Sequence, residues 1–167
     1  MSRPTTSIEL RPLGKDEVSL VVQIQCDAYA DHLQEDARAF HAKRDRYPNG
    51  FVGAFVNGEL AGYSISFPWF TDTAVSLHTA NDSPEKEFDC YYMHDVAVLS
   101  QFRGLGIADK LVSRCLATAR SLGLYTVRMV TVQGGENIWS RYGFEVYGKA
   151  DESYGPDAFK MTITLDH

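Results

Sequence analysis

The stretch with the clearest capacity for chemistry is QFRGLGIADKL, Gln101 to Leu111. Gly104 and Gly106 stand one residue apart, after an apolar run and before an amphipathic one. A helix N-terminus exposes unpaired N–H groups and a partial positive charge, and together these bind anions. Glycines just ahead of it let a ligand reach the backbone without meeting a Cβ. The stretch reads either as a phosphate cradle or as a plain strand-to-helix turn, and spacing alone leaves both open. Two phosphate motifs fail. A P-loop closes on Gly-Lys-Ser/Thr, whereas Ile107 and Ala108 follow Gly106. The dinucleotide fingerprint needs a third glycine where Asp109 stands. Cys26, Cys90 and Cys115 lie far apart with no C-x-x-C pair, so neither a disulfide framework nor a zinc site is indicated. They are expected to be buried, reduced thiols.

These residues need elements to hold them. Ser7 to Pro12 alternates like a strand, and Asp16 to Tyr29 has helical spacing. A second helix is expected over His32 to Arg44, before the breaker at 47–50. Asn57-Gly58, between two β-rich runs, predicts a hairpin. Thr71 to Glu87 is polar and reads as a loop. Asp89 to Leu99 is a strand, then comes the glycine turn, then a helix to about Leu122 with Gly123 at its C′ position. Tyr125 to Val132 is a strand, Glu136 to Tyr142 a short helix, and Gly143-Phe144 opens another strand. Phe159 to Leu165 alternates and ends the fold. The order β-αα-ββ-β-α-β-α-β-β describes a single mixed α/β domain over residues 1–167. The unit from 89 to 132 implies one parallel strand pair.

The chain has 167 residues, 44% hydrophobic and 23% charged, with a net charge of -6. That suits one globular domain and argues against a nucleic-acid partner, which calls for a basic face. The start MSRPTTSIELRPL has no apolar core, so no signal peptide is expected there. No run approaches the roughly 18 apolar residues of a membrane span. A cytoplasmic protein without a membrane partner is the expectation.

After the strand VAVLS, the pattern Gln101-x-x-Gly104-x-Gly106-x-Ala108 resembles motif A of the GCN5-related N-acetyltransferases, the GNAT family. The segment NIWSRYGF at 137–144 resembles that family's motif B, and the element order and length are similar too. The resemblance implies a mostly antiparallel sheet with one parallel pair, flanked by helices, and acetyl-CoA as cosubstrate. It would set the amides of Phe102, Arg103, Gly104, Leu105, Gly106, Ile107 and Ala108 toward the pyrophosphate. The backbone of Val96, Ala97 and Val98 would run beside the pantetheine arm. A bulge, expected near 95–97, would splay this strand from its neighbour. It would free an amide, at Val98 or the residue next to it, for the thioester carbonyl. Arg103, Lys110 and Arg114 are candidates for the nucleotide end.

The resemblance also implies direct attack by an amine in a ternary complex, with no role for the cysteines. The family's motif B tyrosine, often the acid for the departing thiolate, falls here on Trp139, whose indole donates but is no acid. Tyr142, three residues on, is the candidate acid, and Trp139 is expected to pack on the coenzyme. For the base, His94 has a suitable intrinsic pKa. Alternation puts Cys90, Tyr92 and His94 on one strand face and Tyr91, Met93 and Asp95 on the other, up to the bulge. Glu136 is a further candidate. The acceptor is expected to be a small-molecule or peptide amine, met by Asp27, Tyr29, Asp31, His32, Glu35, Asp36, Trp69 and Phe70. A catalytically silent acyl-CoA-binding module is the alternative. The tail FKMTITL, taken as an edge strand, points to a homodimer.

Overall fold

The structure, a computed structural model, describes residues 5–167. In chain order it contains β1 (Ile8–Pro12), α1 (Val18–Ala28), α2 (Ala37–Arg46), β2 (Phe51–Val56), β3 (Glu59–Trp69) and β4 (Cys90–Val98). Then follow α3 (Ile107–Ser121), β5 (Thr126–Thr131), α4 (Glu136–Ser140), β6 (Glu145–Lys149) and β7 (Phe159–Thr164). The seven strands form one sheet in the order β1-β2-β3-β4-β5-β7-β6. Only β4 and β5 run parallel, joined through α3; the other neighbours are antiparallel. The expected α/β class and element order are found.

Local chemistry explains the element ends. Asn57 (φ 48°) and Gly58 (φ 86°) are both left-handed, as a two-residue type I′ hairpin requires. α2 begins later than expected, because the Asp36 carboxylate accepts from the Ala39 amide at 3.0 Å and caps it. Asp31–Leu33 is a separate 3-10 turn. α3 stops at a left-handed Gly123 (φ 71°), and Leu124 donates back to Ala119 at 2.9 Å.

Helices cover both sheet faces. α1 and α2 bury Val18, Val21, Ile24 and Phe40 against Tyr63, Ile65, Tyr92 and Ala97. On the opposite face α3 buries Val112, Cys115 and Ala119 against Tyr91, Met93 and Met129. Two expectations are corrected. β7 is not an edge: it lies between β5 and β6, and the edges are β1 and β6. Cys26 is not buried: it is exposed on α1, while Cys90 and Cys115 are buried. The segment 71–87 forms no helix or strand, yet it is tied down by Lys43 Nζ to the Thr79 carbonyl (3.3 Å) and by the Arg46 guanidinium to the Ala80 carbonyl (2.6 Å). Among the described residues no helix is long and apolar enough to cross a membrane.

Candidate active site

The parallel pairing of β4 and β5 covers only Tyr91–Met93 against Val127–Met129. β4 continues to Val98 and β5 to Thr131, so the two strands part beyond Met93. The gap opens into a cleft of about 600 Å³. Leu99 donates its amide to Ala61 on β3 at 2.8 Å. Alternation then turns the amides of Val98 and Val96 to the other edge of β4, toward the cleft. The Tyr29 hydroxyl donates to the Val96 carbonyl on that side, at 3.1 Å.

The bulge lies at His94, just before the expected 95–97. Met93 pairs with Ser66 and Asp95 with Ile65, which leaves His94 without a partner on β3. The extra residue resets the alternation. Asp95 therefore does not take the face opposite His94; both lie on the α1/α2 face. His94 reaches Glu35, just ahead of α2, and Asp95 accepts from the hydroxyls of Tyr29 and Tyr63 at 2.6 Å each. The Asp95 carboxyl is raised: burial dominates over the opposing effects of His94 and the two phenols.

Glu35 is the residue that sequence reasoning misplaces. The sequence groups it with an acidic acceptor pocket, but its side chain is 2% exposed. One oxygen meets His94 Nε2 at 2.5 Å; the other meets Lys43 Nζ at 3.1 Å and the His78 amide at 3.0 Å. Burial pushes the Glu35 carboxyl up, but His94, Lys43 and the His78 amide outweigh it and hold it at about 2. Glu35 is thus a carboxylate that only accepts, so the proton between it and His94 belongs to Nε2. The other ring nitrogen, Nδ1, is a buried atom with no hydrogen-bond partner.

The other acidic residues have separate structural tasks. Asp27 accepts from the Ser100 amide, and Asp36 caps α2. Trp69 and Phe70 are buried in the core. Of that set, Tyr29 and Glu35 come together beside His94 and Asp95.

At the other end of the cleft, Gly104 (φ 83°) and Gly106 (φ 78°) are both left-handed, and a Cβ on either would meet nothing within 4 Å. The amides of Phe102 and Arg103 donate to Leu99 (3.0 Å) and Ser100 (3.3 Å). Lys110 donates to Gly106, which makes it the first amide of α3 with a helical partner. The amides between them, from Gly104 to Asp109, form the unsatisfied N-terminus of a 15-residue helix. Phe102, Arg103, Gly104, Gly106, Ile107 and Ala108 line the cleft with Val96, Ala97, Val98, His94, Trp139 and Tyr142; Leu105, Lys110, Arg114 and Glu136 do not. The Tyr142 hydroxyl donates to Asp109 in the first turn of α3. Burial, then Asp109, push this phenol up to about 12. Trp139 packs edge-on against Phe144 at the cleft wall.

The fold recurs among solved structures. A GNAT acetyltransferase from Brucella melitensis, solved with acetyl-CoA, superposes with a TM-score of 0.64 at 18% identity over 96% of this chain and 90% of that one. Arabidopsis thaliana Naa50, bound to the bisubstrate analogue CoA-Ac-MVNAL, gives 0.69 at 14% identity, over 95% and 99%. The Escherichia coli ribosomal-protein-S18-alanine N-acetyltransferase gives 0.69 at 12%, over 96% of each chain. No curated protein matches significantly in sequence. The model of the acetyltransferase (GNAT) family matches residues 18–144, and the chain belongs to that family.

Proposed function

We propose that this protein transfers an acetyl group from acetyl-CoA to a primary amine of a small molecule or peptide, by direct attack in a ternary complex. The observation behind this reading is one cleft that joins a free helix N-terminus, an open strand edge and a buried imidazole with an unpaired nitrogen. The residues suit the coenzyme. Open space at Gly104 and Gly106 admits a pyrophosphate to the amides from Gly104 to Ala108, with Arg103 beside them. The Val98 amide donates to the pantetheine arm, which lies along β4 as an added strand. Acetyl-CoA, when bound, supplies an activated thioester. Val96 lies nearer the bulge than Val98, so its amide is the donor we assign to the thioester carbonyl.

An alkylammonium loses its proton near 10.4, so attack at neutral pH calls for a base. His94 Nδ1 takes that proton, and Glu35 fixes the tautomer that makes this possible. Tyr142, bonded to Asp109 and raised to about 12, acts on the departing sulfur as a hydrogen-bond donor rather than a strong acid. Trp139 packs against the coenzyme. Three free cysteines fit a reducing compartment, and we place the protein in the cytoplasm.

Release of free thiol from acetyl-CoA, measured across a panel of amines, tests the reading. We expect turnover in the wild type. In His94→Gln, kcat falls by about 10²- to 10⁴-fold, the usual contribution of a general base, while acetyl-CoA affinity is unchanged. A second reading, a coenzyme-binding module without turnover, is favoured by Trp139 and by the engagement of Tyr142 with Asp109. Coenzyme binding with no thiol release for any amine would select it.

A further inference from the structure

A second, smaller chamber of about 40 Å³ adjoins the cleft and shares Tyr29, His94, Asp95, Val130 and Val132 with it. Leu33, Leu77, Val130 and Val132 supply apolar walls, Tyr154 closes one side, and Glu35, already bonded to His94 and Lys43, also borders it. Tyr154 is fixed there, because its hydroxyl donates to the Val75 carbonyl at 2.9 Å. A water needs about 10–15 Å³ of such space, so the chamber holds a few heavy atoms and no long chain.

Two polar groups in this apolar setting lack the partner their chemistry calls for. His94 Nδ1 is buried and has no hydrogen-bond partner, on a side chain that is 2% exposed. Asp95 accepts two phenolic hydrogens, which orient it but bring no charge. Among the described residues no lysine, arginine or histidine nitrogen lies within 4.0 Å of its carboxylate. The nearby Lys43 is engaged by Glu35. A buried carboxylate without a cation is costly, and a carboxylate has about four lone-pair sites, of which two are used here. The bulge sets the two incomplete groups next to each other on one sheet face.

We propose that Asp95 binds the acceptor's ammonium group beside His94 Nδ1, and that the acceptor is a primary alkylammonium whose amine-bearing carbon carries only a short apolar group. This rests on the acetyl-transfer reading and narrows it. The amine arrives charged, which completes Asp95. It gives one proton to His94 Nδ1 and attacks the thioester carbon as the neutral amine; as the C–S bond breaks, the new amide nitrogen gives up its second proton to the departing thiolate, which leaves as the free thiol. Arylamines and other amines uncharged at neutral pH gain nothing from Asp95, and bulky substituents do not fit between Leu33, Leu77 and Val132.

The test compares ethylamine with 2,2,2-trifluoroethylamine, similar in shape but uncharged at neutral pH because fluorine withdraws electrons. In Asp95→Asn, kcat/KM for ethylamine is expected to fall about a hundredfold, chiefly through KM, as when one partner of a buried charge pair is removed. For trifluoroethylamine the fall is expected to be small. Equal losses for both amines would make Asp95 a structural hydrogen-bond anchor and overturn the proposal. A measurement on the wild type does not depend on the variant folding. Methylguanidinium should compete with the amine, and methylurea, the uncharged counterpart, should not; equal inhibition overturns the proposal. If no amine yields thiol, calorimetry of ethylammonium with the CoA-loaded protein decides. Binding that Asp95→Asn abolishes upholds the ammonium site although acetyl transfer has failed, and no binding ends it.

Discussion

Glu35 links three elements through one carboxylate: His94 on β4, Lys43 on α2 and the His78 amide in the loop 71–87. None of this is local in sequence. His94 is 59 residues away, and beside Asp31 and Asp36 the glutamate reads as one more solvated acid. Its ionisation has a measurable consequence. The folded value of about 2 lies below the ordinary 4.5, so between those values the unfolded chain binds more protons and stability rises with pH. The contribution is complete above about 4.5 and is lost as pH falls toward 2. In Glu35→Gln the slope of unfolding free energy between pH 4 and 3 should drop by up to ~1.4 kcal/mol per pH unit, one proton's worth. Urea titrations at the two pH values read this directly. An unchanged slope would mean that Glu35 is not held ionised. Glu17, also lowered to about 2 through Arg11, sits near the surface, where solvent screens the pair.

At the scale of elements, the glycine turn is legible because its signal is contiguous: a strand, two glycines and an amphipathic helix. The faces of β4 beyond His94 are not legible, because one unpaired residue inverts the alternation and no local pattern marks its position. Nor does legibility settle why the glycines are there. Gly104 and Gly106 are left-handed, so the turn alone favours glycine, whatever binds. Gly123 at the end of α3 supplies the control, being left-handed and equally open: a Cβ there would also meet nothing within 4 Å. Alanine at Gly106 or at Gly123 should cost about 1–2 kcal/mol of left-handed strain, a similar drop in melting temperature for each. Only Gly106→Ala should also weaken acetyl-CoA binding in calorimetry. If both variants bind the coenzyme as the wild type does, the glycines serve the turn alone.

At the scale of the whole molecule, the sheet has two free edges, and the argument for a homodimer through the last strand fails because β7 is interior. The open edge near the C-terminus is β6, only five residues long. Its pairing with β7 shifts register between Val146 and Gly148, which twists the strand, and Glu145 and Lys149 stand at its ends. Short, bulged, charged edges resist pairing with a second sheet. Val146 (48% exposed) and Tyr147 (43%) are the apolar exceptions, but Tyr147 lies under the Arg128 guanidinium, 4.3 Å from its ring centroid, and Lys160 approaches the same ring. Adding a strand at β6 would crowd these cations against a partner edge that carries the same charges. Sedimentation at micromolar concentration should therefore return one chain of 18.7 kDa. A mass of two chains would mean that β6 pairs despite these features, and Val146→Lys should then return the protein to a single chain without loss of thiol release.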